Sequence, residues 1–340
     1  MKVIIPMSGM GNRFLKAGFE EPKFLIQVEG RPVINHIIDL YPSDTQFIFI
    51  CNEKHAEETN ILEVLDAVPN EKDIVIIPTH KKGPVGAIAQ CYDLIDDDEQ
   101  IIVNYCDFSM GWDYDEFETY VNRTDCDGAI VCYTGFHPHM LGGDNYAFVK
   151  TQDDNLFVEI KEKESYTDDK MSEFASTGTY YFKKGKYIKK YFQDLMGKDM
   201  HVNNEYYVSL VYNLLESDNL KTYVYEVPYM LQWGTPLDLK IYNKWSNYYR
   251  QIDKIKQQTK LSNTVTILPM AGQGSRFAVE GYEKPKPLIE VNGKPMLQQA
   301  IKCLPETEKI IFGCLQEHLQ EQNLHKNIVR YGMWKSSIGW

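Results

Sequence analysis

The sequence lacks the features that mark several large protein classes. No apolar stretch approaches the roughly 20 residues that a membrane helix needs. The opening MKVIIPMSGMG has too short an apolar run for a signal peptide and passes directly into a glycine motif. The seven cysteines form no CxxC pair, which is typical of reduced thiols rather than of a disulfide framework or a zinc site. We therefore expect a cytoplasmic protein with no membrane partner.

Basic residues are also fewer than acidic ones. The chain has 36 Lys and Arg against 48 Asp and Glu, a formal net charge of -12. Nucleic-acid-binding domains usually carry the opposite excess, so we expect no nucleic-acid partner. A small anion is still compatible with this balance, because local cations, backbone N–H groups and a metal can hold it. With 340 residues, of which 43% are hydrophobic, the chain can bury the core of one large or two average domains.

An internal repeat organises the chain. Residues 3–34 (VIIPMSGMGNRFLKAGFEEPKFLIQVEGRPVI) recur as residues 266–297 (TILPMAGQGSRFAVEGYEKPKPLIEVNGKPML), at a constant offset of 263 and without a gap. Agreement of this extent indicates duplication. The first copy has a long continuation, whereas the second runs only to Trp340. We predict a complete domain over residues 1–247, a linker over 248–263 and a partial, truncated second copy over 264–340.

Apolar patterns in the first domain alternate between strands and helices. Strands are predicted at Lys2–Pro6, Gln46–Cys51, Asp73–Pro78 and Gln100–Asn104, and helices at Val33–Leu40, Glu53–Ala67 and Val85–Ile95. This alternation predicts a doubly wound α/β fold with a mostly parallel sheet. Mixed strands follow at Gly128–Tyr133, Tyr146–Thr151, Phe157–Lys161, Gly178–Phe182 and Lys221–Val227, with a helix at His201–Leu215. Ligands of such folds bind at the carboxyl ends of the strands.

The first motif is the loop Ser8–Arg13 (SGMGNR), which follows the first strand directly. Its glycines let the backbone approach a ligand and direct N–H groups at it, and Arg13 adds a bidentate phosphate donor. A tight strand-to-helix turn with a solvated arginine is the structural alternative. The loop is not the dinucleotide fingerprint, because Phe14 occupies the third glycine position, and it is not a Walker loop, because no GK[ST] follows.

The second motif is Glu21-Pro22-Lys23, ten residues after the arginine. The proline stiffens the loop that presents the lysine. A surface lysine is the ordinary alternative, but the pair recurs as Pro285 and Lys286 in the second copy. This recurrence favours a functional lysine.

The combination of GxGxRF, PK and LIxVxGxP resembles the signature of the sugar-phosphate nucleotidyltransferases, a family similar to nucleoside-diphosphate-sugar pyrophosphorylases with a glycosyltransferase-A-like α/β fold. The resemblance continues along the whole first domain. The further segments that carry it are Gly83–Ala87, where the family more often has Gly-Thr-Ala, then Asn104–Asp107, Tyr146–Val149, Ile160–Lys163, Ser176–Phe182 and Gln232–Leu239.

The resemblance implies a role for each matching residue. Arg13, Lys23 and Lys163 are the implied catalytic cations, with Lys23 at the reacting α-phosphate and Lys163 near the acceptor phosphate. The implied nucleotide contacts are Met7, Ser8, Gly9, Met10, Gly11, Gly83, Gly86 and Gln90. The implied acceptor contacts are Tyr146, Glu162, Lys163 and Gly178.

The resemblance also implies a Mg²⁺ ion bound by Asp107, for which a helix N-cap role is the structural alternative. Many family members have a second metal-binding aspartate directly before the Gly-Thr of the closing motif, where this chain has Gln232-Trp233. Either Gln232 lines the metal, or Asp238 has taken over, or the second ligand is weaker. His137 and His139 have no carboxylate neighbour in their loop, so we expect them to be structural or to line the substrate mouth.

The implied reaction transfers a nucleoside monophosphate from a nucleoside triphosphate to a phosphorylated small molecule, by default a sugar 1-phosphate, with release of pyrophosphate and for surface-polysaccharide precursors. A phosphate monoester is already a nucleophile, so the protein supplies positioning and charge neutralisation. Two alternatives stay open: a cytidylyltransferase acting on phosphocholine or another small non-sugar phosphate ester, and a non-catalytic nucleotide-sensing protein. We expect the second copy to be catalytically incomplete. The nucleotide base and the formation of a homo-oligomer are left open.

Overall fold

The computed structural model describes residues 1–256, 261–305 and 307–316. The chain divides into two compact units, Met1–Asn243 and Lys244–Trp340. Residues 257–260 of the predicted linker and residues 317–340 of the predicted second copy lie outside the described residues. The extents of the linker and of the second copy therefore stay predictions.

The first unit alternates short strands and helices. Its strands are β1 Lys2–Pro6, β2 Gln27–Val28, β3 Arg31–Pro32, β4 Gln46–Asn52, β5 Lys72–Ile77, β6 Ile101–Asn104, β7 Phe108–Met110, β8 Gly128–Tyr133, β9 Ala147–Thr151, β10 Phe157–Glu162, β11 Phe174–Phe182, β12 Thr222–Glu226 and β13 Met230–Gln232. Its helices are α1 Asn12–Lys16, α2 Val33–Ile38, α3 Glu53–Glu58, α4 Ile61–Asp66, α5 Gly83–Ile88, α6 Tyr114–Thr124, α7 Gly185–Gly197 and α8 Val211–Ser217, and α9 Pro236–Lys256 begins in this unit.

The central sheet has a parallel half and a mixed half. Strands β6, β1, β4 and β5 are neighbours and run parallel. Strand β11 pairs antiparallel with β6, β8 and β9, while β10 extends β9 and β12 runs parallel to β8. Strands β7 and β13 form a separate antiparallel ribbon. This topology confirms the predicted α/β fold with a largely parallel central sheet.

The sheet is covered on both faces, and the middle positions of its inner parallel strands are apolar and buried. Alternate residues of β1 and β4 enter two different core clusters: Ile5 and Phe49 belong to one, Ile4 and Ile48 to the other. All four are fully buried. A strand buried on both faces is typical of the centre of a parallel sheet. Because β1, β4 and β6 run parallel, their carboxyl ends meet at one edge of the sheet.

All four predicted helices differ from the observed ones, the predicted Val33–Leu40 helix only by ending two residues earlier, at Ile38. The predicted Glu53–Ala67 helix is interrupted at Thr59, whose backbone is extended. The predicted Val85–Ile95 helix starts two residues earlier and continues as a 3₁₀ turn over Ala89–Leu94. The prediction for His201–Leu215 is wrong in its first ten residues, because the helix begins only at Val211.

Backbone conformation and tertiary contacts explain the missing helix before Val211. Asn203 and Asn204 have positive φ angles of 54° and 62°. The N–H of Tyr206 donates to the carbonyl of Lys82 at 3.2 Å, and its carbonyl accepts from Val85 at 3.3 Å. Contacts of this kind override a weak helix propensity. They hold residues 203–207 against the start of α5.

The described part of the second unit repeats the opening elements of the first. Strands β14 Leu261–Pro269 and β17 Thr307–Gly313 pair in parallel, and β15 Glu290–Val291 forms a hairpin with β16 Lys294–Pro295. The helices are α10 Ser275–Val279 and α11 Met296–Lys302. The order matches β1, α1, β2, β3, α2 and β4.

Among the residues that the structure describes, no helix has the length and apolarity needed to cross a membrane.

Candidate active site

A pocket of about 650 Å³ opens in the first unit at the carboxyl ends of β1 and β6. The glycine loop, the ends of β6 and β10, the bend of β11 and the segment after β13 form its walls. Most predicted site residues line it, namely Met7, Ser8, Gly9, Met10, Gly11, Arg13, Lys23, Gly83, Asp107, Tyr146, Glu162, Lys163, Gly178, Gln232 and Asp238. The fold therefore brings together residues that are spread over more than two hundred positions of sequence.

Gly86 and Gln90 do not line this pocket. Gly86 is buried inside α5, where an added Cβ would lie 2.3 Å from the Cβ of Lys82. The side-chain amide of Gln90 donates to the Gly86 carbonyl at 3.3 Å. Their nucleotide contacts stay a prediction from the sequence.

The glycine loop is held in place by neighbouring strand ends. Gly11 has a φ of +63°, which a glycine adopts without strain, and it directly precedes α1. The buried amide of Asn52, at the end of β4, donates to the Ser8 carbonyl at 2.8 Å. The Met7 N–H donates to the carbonyl of Ile50 at 2.9 Å. The loop is thus preorganised before any ligand contacts it.

Lys23 and Asp107 form an ion pair on the pocket wall, with 2.7 Å between Nζ and Oδ2. Burial by itself lowers the pKa of Lys23, but the charge of Asp107 and its hydrogen bond outweigh burial, so the pKa is raised above its usual value. Lys23 is therefore charged at neutral pH. An ammonium has three N–H donors, so the bond to Asp107 leaves two for a phosphate.

The charge of Arg13 acts on two lysines of the pocket, Lys23 and Lys163. Its positive charge opposes the rise of the Lys23 pKa. Burial lowers the pKa of Lys163, and Arg13 acts in the same direction, against Glu162 and Glu205. Arg13 thus repels Lys23 and Lys163 inside one concavity, and a bound polyanion would offset this repulsion.

Lys163 occupies the other end of the pocket, where the acceptor contacts were predicted. Its ammonium hydrogen-bonds the hydroxyl of Tyr207 and lies 4.4 Å from the centre of that ring, and Tyr207 donates in turn to Glu205. Ser209 donates to Glu162 at 2.6 Å. Burial raises the pKa of Glu162 to about 7, although the bond from Ser209 and the charge of Lys163 act against it.

The β7–β13 ribbon brings the closing motif against Asp107. Gln232 pairs across the ribbon with Phe108, and the N–H of Trp233 donates to the Asp107 carbonyl at 2.9 Å. A Cβ on Gly234 would lie 2.8 Å from the Asp107 Oδ2, so a side chain there would displace the Asp107 carboxylate. Asp238 lines the same pocket and is 5% exposed. Burial raises the pKa of Asp238, and the charge of Asp107 adds to this.

The donor atoms at this end of the pocket fit an oxygen-bound divalent cation. Over residues 1–256, 261–305 and 307–316 no group of three or more His, Cys, Asp or Glu side chains could hold a metal ion by itself. Mg²⁺, however, is usually bound by one or two carboxylates together with substrate phosphates. Asp107, Asp238 and Gln232 all line the pocket, and the Gln232 Oε1 is buried without a hydrogen-bond partner. These residues suit a cation that a triphosphate helps to hold.

Comparison with known proteins identifies the family. The sequence model of the nucleotidyl transferase family matches residues 2–225, well over half of the chain. The chain belongs to the nucleotidyl transferase family. It is therefore a nucleotidyltransferase enzyme, as predicted, and this favours a catalyst over a non-catalytic sensor.

Solved structures with the same fold cover nearly three quarters of this nucleotidyltransferase. The nucleoside-diphosphate-sugar pyrophosphorylase from Vibrio cholerae aligns with a TM-score of 0.59 at 20% identity, over 73% of this chain and 100% of that one. A UDP-glucose pyrophosphorylase complexed with UDP-glucose aligns at 0.57 and 15% identity, over 74% and 98%. The inositol-1-phosphate CTP transferase from T. maritima aligns at 0.54 and 14% identity, over 72% and 94%. No curated protein matches significantly in sequence.

Several pocket residues of the nucleotidyltransferase escaped prediction. Thr79, His80 and Lys81 follow β5, and the His80 ring lies 3.3 Å from the Ser8 hydroxyl. Their position after a parallel strand was a usable signal. Asn203, Asn204, Glu205 and Tyr207 also line the pocket. The erroneous helix over residues 201–210 concealed them.

His137 and His139 are buried behind the pocket. The His137 Nε2 accepts from the N–H of Met230 at 3.1 Å, and His139 hydrogen-bonds Tyr133 at 2.9 Å. Burial lowers the pKa of His139 to about 3, so this ring is neutral. Of the two expectations for these histidines, the geometry supports the structural one.

Proposed function

We propose that this nucleotidyltransferase transfers a nucleoside monophosphate from a nucleoside triphosphate to a sugar 1-phosphate, with Mg²⁺ as the cation and pyrophosphate as the second product. The convergence of Arg13, Lys23 and Lys163 on one pocket carries the proposal. This arrangement provides for two phosphorylated substrates that meet end to end. A dinucleotide or a single monophosphate would leave one cation unused.

The glycine loop and Arg13 hold the triphosphate, and Lys23 stabilises the negative charge that grows on the α-phosphate. Lys163 holds the acceptor phosphate, one oxygen of which forms a bond to the α-phosphorus. The bond from the α-phosphorus to the bridging oxygen breaks, and that oxygen leaves with the electron pair as part of pyrophosphate. No proton has to move, so the site needs positioning and charge rather than a base. A bound Mg²⁺ would neutralise phosphate charge beside Asp107.

The acceptor end supports a hydroxyl-rich molecule. Glu162, Tyr146 and the backbone of Gly178 line it together with Asn203 and Asn204. Carboxylate and amide groups suit the hydroxyls of a sugar, which matches the sugar nucleotides named for two of the structural neighbours. Production of surface-polysaccharide precursors, a cytoplasmic location and assembly into a homo-oligomer belong to the same proposal.

A cytidylyltransferase of a small non-sugar phosphate ester is the second candidate. The T. maritima neighbour, an inositol-1-phosphate CTP transferase, supports it. The four tyrosines of the pocket, Tyr105, Tyr146, Tyr180 and Tyr207, could also enclose an organic cation such as that of phosphocholine.

A pyrophosphate-release screen with Mg²⁺ tests both candidates. It crosses CTP, UTP, dTTP, GTP and ATP with sugar 1-phosphates, inositol 1-phosphate, phosphocholine and other small phosphate esters, with Asp107→Ala as the control. We expect release with a sugar 1-phosphate and its loss in the variant. Release only with phosphocholine or another non-sugar ester would support the second candidate. The absence of pyrophosphate release with every pair would contradict the proposal.

A further inference from the structure

The closing segment after β13 holds two candidates for the second oxygen ligand beside Asp107. Asp238 carries the charge that a cation favours, and Gln232 occupies the position directly before Trp233 and Gly234. Both line the pocket. Their contacts, however, separate their roles.

Asp238 is engaged at the start of α9. The Thr235 hydroxyl donates to the Asp238 Oδ2 at 2.6 Å, and the Asp238 N–H donates back to the same hydroxyl at 3.1 Å. Pro236 is the first residue of the helix and Thr235 precedes it. This is the arrangement of a helix N-cap, in which the hydroxyl satisfies an otherwise unpaired N–H. One carboxylate oxygen of Asp238 is thus already used by the fold.

Gln232 instead borders the small space above Gly234. A Cβ on Gly234 would lie 2.8 Å from the Asp107 Oδ2 and 3.4 Å from the Gln232 Nε2. Asp238 is not among its three nearest neighbours. The absence of a side chain on Gly234 leaves this space between the Asp107 carboxylate and the Gln232 amide. A rotation about the last side-chain bond of Gln232 would turn its oxygen towards Asp107.

The Gln232 oxygen has no other use in the fold. It is buried and has no hydrogen-bond partner, and a buried polar atom in that state costs free energy unless a ligand satisfies it. Amide oxygens are good ligands for hard divalent cations. Tyr146 lies beside it and is 6% exposed.

We propose that Gln232, and not Asp238, completes the cation site with Asp107, and that the Asp238 carboxylate serves to hold the Thr235 hydroxyl that caps α9. The inference rests on the proposed function, because it assigns ligands to the cation of that reaction. Compared with an aspartate in this position, an amide leaves the site with one negative charge fewer. The cation should therefore bind weakly to the protein alone and depend strongly on the charge of the triphosphate.

Binding of Mn²⁺ to the full chain, followed by water proton relaxation with and without inorganic tripolyphosphate, tests the assignment. Gln232→Glu should tighten binding of Mn²⁺ alone roughly tenfold, and Gln232→Ala should weaken binding of Mn²⁺ with tripolyphosphate by a similar factor. Asp107→Ala is the reference for loss of the site. Asp238→Asn, which keeps an oxygen for the Thr235 hydroxyl but removes a charge near Asp107, should weaken Mn²⁺ binding far less than Asp107→Ala does.

Thermal unfolding separates the cap from the ligand. Thr235→Val removes the hydroxyl that caps the Asp238 N–H, and Asp238→Ala removes the carboxylate that orients this hydroxyl; both should lower the Tm by roughly 2–4 °C, whereas Asp238→Asn should keep the wild-type Tm. The assignment is overturned if Asp238→Asn loses Mn²⁺ as Asp107→Ala does, if both Gln232 variants bind like the wild type, or if the wild type binds no Mn²⁺. Pyrophosphate release is measured on the same preparations, so the expected Mn²⁺ pattern without turnover would refute only the proposed reaction.

Discussion

The two copies of the repeated segment have the same local backbone but different surroundings. Gly11 and Gly274 have φ angles of 63° and 67°, and Gly18 and Gly281 have 86° and 83°. Each copy continues into a short hairpin and a helix. The shared sequence therefore produces the same loop twice, through residues that interact within the segment itself.

The two copies differ in how their side chains pack. Met270, Leu288 and Leu297 form a small core in the second copy, and Met7, Leu25 and Ile34 occupy the equivalent positions in one core layer of the first. The other layer is different. Ile4 and Ile48 are fully buried, but their counterparts Ile267 and Ile311 are 67% and 42% exposed. The first copy lies in a sheet covered on both faces, whereas β14 pairs with β17 in a two-stranded sheet within the described part of the second unit.

The repeated lysine shows the chemical consequence. Lys23 contacts Asp107, which follows β6. Its counterpart Lys286 lies 5.6 Å from the centre of the Phe277 ring. The same residue in the same local structure forms an ion pair only where the rest of the fold supplies a carboxylate. This comparison supports the expectation, still to be tested, that the second copy is catalytically incomplete.

The matched substitutions Lys23→Ala and Lys286→Ala give the largest expected contrast. Removing Lys23 should lower kcat for pyrophosphate release by roughly 10²–10³-fold, because the charge at the α-phosphate loses its preorganised partner. Lys286→Ala should leave kcat unchanged. Steady-state assays at saturating substrates measure both. A comparable loss in Lys286→Ala would show that the second copy takes part in catalysis.

Ile4→Ala and Ile267→Ala test the difference in burial. Ile4→Ala should lower the free energy of unfolding by about 2–5 kcal/mol, because it leaves a cavity in a two-sided core. Ile267→Ala should change it by no more than about 0.5 kcal/mol. Calorimetric unfolding of the full chain provides the measurement. Equal destabilisation would mean that the exposed face of β14 is covered in solution.

The pH dependence of acceptor binding gives the smallest expected effect, and it belongs to the first copy alone. The raised pKa of Glu162, about 7, means that its carboxyl is mostly neutral at pH 6 and mostly ionised at pH 8. The ionised form accepts hydrogen bonds from acceptor hydroxyls more strongly. The KM for the acceptor should therefore fall roughly threefold to tenfold as the pH rises through 7.

Glu162→Gln is the control for this profile, because an amide does not titrate. The ratio of the wild-type and variant KM values cancels the ionisation of the acceptor phosphate itself, which occurs near pH 6. The ratio should change through pH 7. A ratio that is independent of pH would exclude Glu162 from acceptor binding.

Local patterns predicted much of the parallel half of the sheet. Lys2–Pro6 in the parallel half and Gly128–Tyr133 in the mixed half were predicted with the observed bounds, because an uninterrupted apolar run between polar residues has few other ways to be buried. The mixed half was harder. The long β11 starts four residues before the predicted Gly178, because its first half owes its strand conformation to β9 and β8.

The sequence by itself determined the repeat, the glycine loops, the family and most residues that line the pocket. These properties depend on residue types at short spacing, where backbone conformation and charge act locally. The tertiary structure decided which copy acquires a site. It brought Asp107 into contact with Lys23, residues 203–207 to the pocket, and the Asp238 carboxylate into contact with the Thr235 hydroxyl at the start of α9. The first two of these contacts join elements far apart in sequence, and only the pairing of strands in space determines them.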